Sequence, residues 1–574
     1  MRWIAFFFAI SVSLLLNEPL PPFVTMTNQL AAIIGWGLLL LLVPTRLLSR
    51  PALRTLQPLL LALAVVAAAC VLSIGTGRLP SSPGIVQLGM IGLAACLALH
   101  GASAAEHGAM RSFVPFAGVL AGTGAASAAV AVVQIVAYRH IDNSFIALPL
   151  QPGRAAGNIG QANQFADTLL WALVALVPLA QHLSAASRHA GKILAALGLV
   201  ALFYLLGIVL TGSRTAMVAL LILAVWGLWD RQLERHARVA LVCSPIVALL
   251  MQWPVHAWLA HQGLELSALT RDEGGVSSFR TEIWRQALAM IGDQPWLGAG
   301  WGQLNFEWTL TPFANRQMGF VDNAHDLPLH LAVEIGIPAA LLVLGLLVWA
   351  LASAFRRAAR VAGPTGVSAR TALVMVTIIG FHSMLEYPLW YGYLLLPTAW
   401  AWGFGTCAGA RDEASDPQTA PVAATWRAWH VIGLMMVVIG GSAWLDYRNI
   451  VSLYQPTINA LPFDERIRHA QESPLFSYQG DYVALTSLPP TPAMLPAFER
   501  SAHVFLNARL LYAWANVLEQ QGQTDKARYL AARLREFDLP GPKPWFAPCD
   551  DPAVKAKPFQ CLPPERPVSW HDFK

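Results

Sequence analysis

The sequence predicts an all-α polytopic membrane protein of about thirteen transmembrane helices, followed by a helical domain outside the bilayer. Three observations carry that expectation. Only 12% of the 574 residues are charged while 56% are hydrophobic, against a charged share of about 25% in ordinary globular chains. The mean hydropathy is +0.50. Apolar runs long enough to cross a bilayer, roughly 20 residues because lipid offers backbone N–H and C=O groups no partner, recur along most of the chain. A net charge of +5 is too small to argue for nucleic acid. Six cysteines make no disulfide framework at this length, and no Cys-x-x-Cys or His-x-x-x-His spacing offers a metal site. Neither a metal nor a cofactor is expected.

The candidate spans begin near Ile4, Gln29, Pro58, Ile85, Phe113, Asn163, Ile193, Thr215, Val239, Leu327, Thr371, Tyr391 and Trp429. Short turns around Pro80, Gly212 and Pro388 force neighbouring helices to run antiparallel. The first run, Arg2 to Leu16, is either the apolar part of a signal peptide or an anchor. No small-x-small cleavage site follows it, so a retained anchor is expected.

Lys and Arg in short loops favour the cytoplasm. With the N-terminus inside, the cytoplasmic connections hold Arg46, Arg50, Arg54, Arg111, Arg188, Lys192, Arg231, Arg235, Arg238, Arg356, Arg357, Arg360, Arg370, Arg411 and Arg427. The opposite short loops hold only Arg78, Arg139, Arg154 and Arg214. The expected plan is therefore a membrane domain over residues 1–445, a large outer loop within it at 253–327, and an outer C-terminal domain at 446–574.

The tail is polar and Pro-rich, at Pro489, Pro490, Pro492, Pro540, Pro542 and Pro544. Leu510, Trp514 and Leu518 recur at helical spacing, Gly522 breaks the run, and Ala527, Leu530, Ala531 and Leu534 resume it. That is either one tetratricopeptide-type hairpin, although such arrays need about three repeats to stand alone, or a helix pair packed on the rest of the tail. Cys549 and Cys561 both fall where disulfides persist and are expected to pair; two separate buried thiols are the alternative.

Four outer segments hold polar residues that the spans do not require. In Gln151 to Gln164, glycines leave backbone N–H groups open to an anion, Asn163 is placed to cap the next helix, and Arg154 points to phosphate; the alternative is a plain capped turn. Thr211-Gly212-Ser213-Arg214 puts an Arg on the side normally poor in positive charge, either for an anion or snorkelling to headgroups. Ser278 to Ile291 reads as an amphipathic helix with Phe279, Ile283, Ala287 and Met290 on one face, Arg280 and Arg285 beside it and Gly292 as its stop; such a stripe either lies on membrane or other helices or borders a substrate site. A Gly-rich turn from Pro295 to Gly302 follows, and Asp322-Asn323-Ala324-His325-Asp326 then enters the tenth span. His325 is placed to take a proton, with Asp322 or Asp326 raising its basicity; the alternative is a solvated loop histidine beside an Asp. In the turn from His382 to Tyr391, an interfacial aromatic belt explains Tyr387 and Tyr391 but not Glu386.

Taken in order, these pieces resemble the O-antigen ligase and polymerase (Wzy_C) superfamily: Arg154 to Gly157 with Gln161 and Asn163, Ser213-Arg214, Arg280 to Trp284, Pro295 to Gly300, Asn323 to His325, and Glu334 to Ile337. The His382 to Tyr391 turn and the tail are similar to its protein O-oligosaccharyltransferase (PglL-type) branch. Ala162 departs from the family, which usually has Pro between the Gln and the Asn.

The resemblance implies a GT-C-class fold in the bacterial inner membrane, with the active site and C-terminus periplasmic. It implies en bloc transfer of a preassembled glycan from undecaprenyl pyrophosphate to Ser or Thr hydroxyls of a periplasmic protein such as pilin. On that reading His325 and Arg280 are catalytic. Arg214 and Arg154 bind the anionic leaving group, Arg being suited by its planar, permanently charged fork. Asn163, Gln161, Glu386, Tyr387 and Tyr391 shape the substrate side. The outer loops lack an Asp-x-Asp pair and a Trp-Trp-Asp-Tyr-Gly signature, which separates the chain from metal-dependent asparagine oligosaccharyltransferases. The rival readings are an O-antigen ligase or polymerase with a lipid A core or glycan acceptor, and a lipid-linked glycan transporter with no chemistry.

Overall fold

The computed structural model describes residues 1–185, 187–264, 277–314, 316, 320–409, 422–456, 461–537, 539 and 541–573. Arg411, Pro540 and the side chain of Phe279 lie outside that description. Among the described residues every regular element is a helix. In chain order these are α1 (Arg2–Leu15), α2 (Met26–Leu42), α3 (Arg50–Gly75), α4 (Ser81–Val136), α5 (Ala162–Ala185), α6 (Ala190–Leu210) and α7 (Arg214–Trp229). They continue with α8 (Arg235–His261), α9 (Ser277–Asp293), α10 (Leu304–Leu310), α11 (Leu327–Ala358), α12 (Gly363–His382), α13 (Gly392–Cys407) and α14 (Val422–Tyr454). The tail adds α15 (Phe463–Gln471), α16 (Ser477–Ser487), α17 (Leu495–Ala502), α18 (Ala508–Gln520), α19 (Thr524–Glu536) and α20 (Lys543–Asp550).

Eight of the described helices are long and apolar enough to cross a membrane, so the chain is a multi-pass membrane protein. Two features separate that count from the thirteen runs in the sequence. Helix α4 continues for 56 residues through a break at Gly108, where the backbone leaves helical geometry; at 1.5 Å per residue that length suffices for two crossings. Helices α1, α2 and α7 are apolar but short, and α13 has only 16 residues.

The chain divides into two compact units. The first comprises residues 1–61, 92–272 and 346–444. Its centre is a group of rings: Phe6 lies edge-on to Trp400 at 5.2 Å and to Phe116 at 5.5 Å, and Phe113 stacks on Phe404 at 4.7 Å. Helices α4 and α13 meet backbone to backbone there. A Cβ on Gly101 would fall 2.1 Å from the Trp400 carbonyl oxygen, and one on Gly403 would fall 1.8 Å from that of Ala98. Without a hydrophobic drive between helices in lipid, such small-residue contacts supply the packing.

Arg370 corrects the loop count made from sequence. It lies inside α12, 1% exposed, and its Nε donates to Asp230 Oδ2 at 2.5 Å while Nη1 donates to the carbonyls of Ala358 and Val361 at 2.9 and 3.1 Å. An Arg with three helix-end acceptors is held by the protein, and its place says nothing about orientation.

The second unit comprises residues 62–91, 273–345 and 445–574. Of the outer loop expected at 253–327, the described residues from 277 onward fall in this unit together with the tail. The α18–α19 hairpin buries Leu510, Trp514, Leu518, Leu530 and Leu534 in one core with Ile283 and Met290 of α9 and Phe306 and Trp308 of α10. A lone hairpin thus finds its missing partner in the loop. Arg316 fastens the two: its guanidinium sits 4.4 Å from the Trp308 ring and 4.7 Å from that of Phe537, and donates to Glu536 Oε2 at 3.3 Å.

A buried histidine makes this unit acid-sensitive. His503 stacks on Phe306 at 4.1 Å and its Nδ1 meets Gln303 Oε1 at 2.6 Å. Burial, helped by the Arg78 cation, lowers it from 6.5 to about 4. The folded protein then binds fewer protons than the unfolded chain between those values. Stability is full above the unfolded value and is lost as pH falls towards the folded one, by about 3 kcal/mol in all. Melting of wild-type protein should decline between pH 7 and pH 4.5 more steeply than melting of a His503→Gln variant; parallel pH profiles would refute this.

Candidate functional site

In the first unit the site begins with the segment before α5. Gln134 of α4, fully buried, grips it from behind: Oε1 accepts from the backbone N–H groups of Ala156 at 3.0 Å and Gly157 at 2.9 Å, and Nε2 donates to the carbonyls of Ala147 at 2.7 Å and Gly157 at 3.1 Å. These N–H groups, which the glycine pattern offered to an anion, are therefore taken by a side-chain amide. The expected cap is also displaced by two residues. Gln161 Oε1 accepts from the Gln164 N–H at 2.9 Å, so Gln161 is the cap and Asn163 lies in the first turn. Ala162 holds the first helical position, where Pro is favoured because its missing N–H has no partner in any case; Ala there preserves the turn.

Freed from capping, Asn163 links three separate segments. Its Oδ1 accepts from Arg154 Nη2 at 3.1 Å and its Nδ2 donates to Glu386 Oε1 at 3.1 Å. Arg154 Nε donates to the Thr211 carbonyl at 2.7 Å. Thr211 ends α6, where unpaired carbonyls and the helix dipole attract a cation. Arg154, read from sequence as a phosphate ligand, thus frames the site with two of its nitrogens. Two residues on, Ser213 caps α7 through a 3.2 Å bond from the Ala216 N–H, and Arg214 is the exposed first residue of that helix.

One helical turn deeper lies a pair that sequence reasoning missed. Asp167 follows Asn163 by four residues on α5, which puts the two on one helix face, and His382 ends α12, with the Glu386 N–H donating to its carbonyl at 2.9 Å across the turn that follows. His382 Nδ1 bonds Asp167 Oδ2, the residues being 1% and 3% exposed. Gln164 Oε1 accepts from the Tyr393 hydroxyl. Tyr393 lies 5.5 Å from Tyr391, which stacks on Tyr387 at 5.9 Å. Asp167 is the only charged residue in α5, which was a readable signal: an ionisable group inside a span is functional by default.

The second unit holds His325 and Arg280. Arg280 stands one turn before Trp284 on α9, and Trp284 Nε1 donates to the Ala324 carbonyl at 3.0 Å, so the Arg280 helix is tied to the residue preceding His325. His325 adopts φ 53°, and its N–H donates to Asn323 Oδ1 at 2.8 Å. A non-Gly residue in that region is held there by its surroundings. Asp326 Oδ1 accepts from the Leu329 N–H at 2.8 Å, capping α11; Asp322 is the carboxylate within electrostatic reach of His325 and His330.

The glycines of Pro295 to Gly302 have a structural cause. Helix α11 breaks at Gly336, freeing carbonyls: Val333 O accepts from the Ala299 N–H and Glu334 O from the Gly300 N–H, each at 2.9 Å, and the Ile337 N–H donates to Pro295 O at 2.8 Å. A Cβ on Gly298 would fall 2.6 Å from Glu334 O, and one on Gly336 would fall 2.3 Å from Trp296 O. Glu334 Oε1 accepts from the Leu304 N–H at 3.3 Å, and its Oε2 lies 3.4 Å from His330 Nε2. This pairing ties the first turns of α11 to the start of α10.

In the tail, Cys549 and Cys561 are joined, their Cα atoms 5.0 Å apart.

Residues 199–344 match the family described as O-antigen ligase, a stretch that includes Arg214, Arg280 and His325. Over that stretch the chain is similar to the O-antigen ligase family. Residues 370–537 match a second description, virulence factor membrane-bound polymerase, C-terminal, which takes in the Glu386 turn and the α18–α19 hairpin. Among curated relatives, the general O-oligosaccharyltransferase of Acinetobacter baylyi is 26% identical over 51% of this chain and 50% of its own length. The ComP-specific O-oligosaccharyltransferase of the same organism is 23% identical over 48% of each. The chain spans about half the length of these relatives.

Proposed function

We propose that this protein is a protein O-oligosaccharyltransferase of the bacterial inner membrane, with thirteen spans, a cytoplasmic N-terminus, and its site and tail in the periplasm. It moves a preassembled glycan from undecaprenyl pyrophosphate to a Ser or Thr hydroxyl of a periplasmic protein such as a pilin. The single observation that supports it most is the tie between the Arg280 helix and the His325 turn, in the segment that matches the family. The naming of both curated relatives as O-oligosaccharyltransferases favours a protein acceptor over lipid A core.

In this reading His325 takes the acceptor O–H proton as the oxygen attacks the anomeric carbon. The bond from that carbon to the diphosphate oxygen breaks, the lipid diphosphate leaves, and the carbon inverts. Arg280 and Arg214 meet the charge that develops on the leaving group, while Arg154, Asn163, Gln161 and Glu386 hold the frame and Tyr387 and Tyr391 face the sugar or acceptor. Intact-mass analysis of periplasmic proteins from cells with and without the chain tests this. A glycan-sized mass on a Ser- or Thr-containing protein, present only with the chain, is expected; its absence, with glycan found on core lipid instead, would make the chain a ligase.

A further inference from the structure

We propose that Trp296 and Leu297 form a membrane-contacting tip, seated among phospholipid headgroups at the level where α11 enters the bilayer. This contact stands apart from the transferase reading above.

The exposure of α11 marks that level. Among residues 323–336, which include His325 and the first part of the helix, none is exposed. Beyond the break at Gly336 the pattern changes. Ile337, Pro338, Leu341, Leu342 and Gly345 are exposed, at spacings that draw an apolar stripe along one side of the helix. On a helix long and apolar enough to cross a membrane, such a stripe is the side that faces lipid. The change from a protein-covered helix to a lipid-facing one therefore falls at Gly336.

Trp296 and Leu297 are pinned beside that break. On one side of the pair Pro295 O accepts from the Ile337 N–H at 2.8 Å, and on the other the Ala299 and Gly300 N–H groups donate to Val333 O and Glu334 O, each at 2.9 Å. The Trp296 carbonyl lies so close to Gly336 that a Cβ there would fall 2.3 Å from its oxygen. Between these two clamps the side chains of Trp296 and Leu297 are 75% and 78% exposed.

Two observations favour lipid over a protein partner. The tip is continuous with the lipid-facing stripe, because Ile337, the first exposed residue of that stripe, is the one whose N–H Pro295 holds. Its chemistry also suits the headgroup boundary, where Trp is enriched because its ring is apolar and its N–H polar. Residues 327–335, about 14 Å of helix at 1.5 Å per residue, separate the His325 turn from this boundary, so the tip sets the height of that turn over the bilayer.

The test uses full-length protein in nanodiscs of phosphatidylethanolamine and phosphatidylglycerol. In wild-type protein, hydroxyl-radical footprinting read by mass spectrometry compares Trp296 with Trp545, a half-buried ring of the tail. Free access to water would oxidise Trp296 faster than Trp545; contact with the bilayer should make it at least threefold slower. Separately, Leu297→p-benzoylphenylalanine and Leu341→p-benzoylphenylalanine variants are irradiated and their phospholipid adducts weighed by intact mass. Leu341 is 64% exposed on the stripe and serves as the reference, and the yield at position 297 should reach at least a third of the yield there. Missing either threshold overturns the inference and returns the tip to water or to a protein partner.

Discussion

Replacing His325 by Asn should lower glycan transfer by about 10²–10⁴-fold, the usual contribution of a positioned general base, and leave donor binding intact. Asn is the informative substitute because of the backbone. His325 sits at φ 53°, a region that costs most residues about 1–3 kcal/mol and that Asn tolerates better than others. An Ala substitution mixes loss of the imidazole with strain in the turn held by Asn323 and Trp284. His325→Asn removes the base and keeps the turn. The measurements are single-turnover transfer to the acceptor and equilibrium binding of the lipid-linked donor. A variant that retains more than a tenth of wild-type transfer sinks the assignment of His325 as base; one that loses donor binding instead makes it a ligand of the donor.

The sequence was informative where a residue's cost is local. Apolar length marks helices from composition alone, and the hairpin over Leu510 to Leu534 announces itself by spacing. Glycines in Pro295 to Gly302 could be read as a tight fold, but not as a close approach to the broken α11 at Gly336, because the partner backbone lies a helix away. The same limit hid Gln134, an unremarkable amide in an apolar helix that proves to hold the segment before α5. It also misplaced the cap by two residues, since Gln161 and Asn163 both suit a helix start and only the pull of Arg154 and Glu386 on Asn163 decides between them. The grouping of residues 277–316 with the tail depends on Arg316 and a shared core, contacts between distant segments that no periodicity encodes.

Asp167 and His382 give the second large expectation. Removing one partner of a buried hydrogen-bonded pair leaves the other's polar atom unsatisfied, at about 1–3 kcal/mol. Asp167→Ala and His382→Ala should therefore each lower the melting temperature in nanodiscs and reduce transfer at least tenfold. The double variant Asp167→Asn/His382→Gln tells packing from function. Neutral amides of similar shape can hydrogen-bond across the same gap, so stability should return to near wild type. Transfer should not. Glu386 stands one turn from His382, receives its hydrogen bond from Asn163, and interacts electrostatically with Asp167. Replacing the pair by amides changes the field at the carboxylate without moving the helices. If the double variant regains both stability and transfer, the pair serves helix packing alone, and the frame of Arg154, Asn163 and Glu386 works without any charge beneath it.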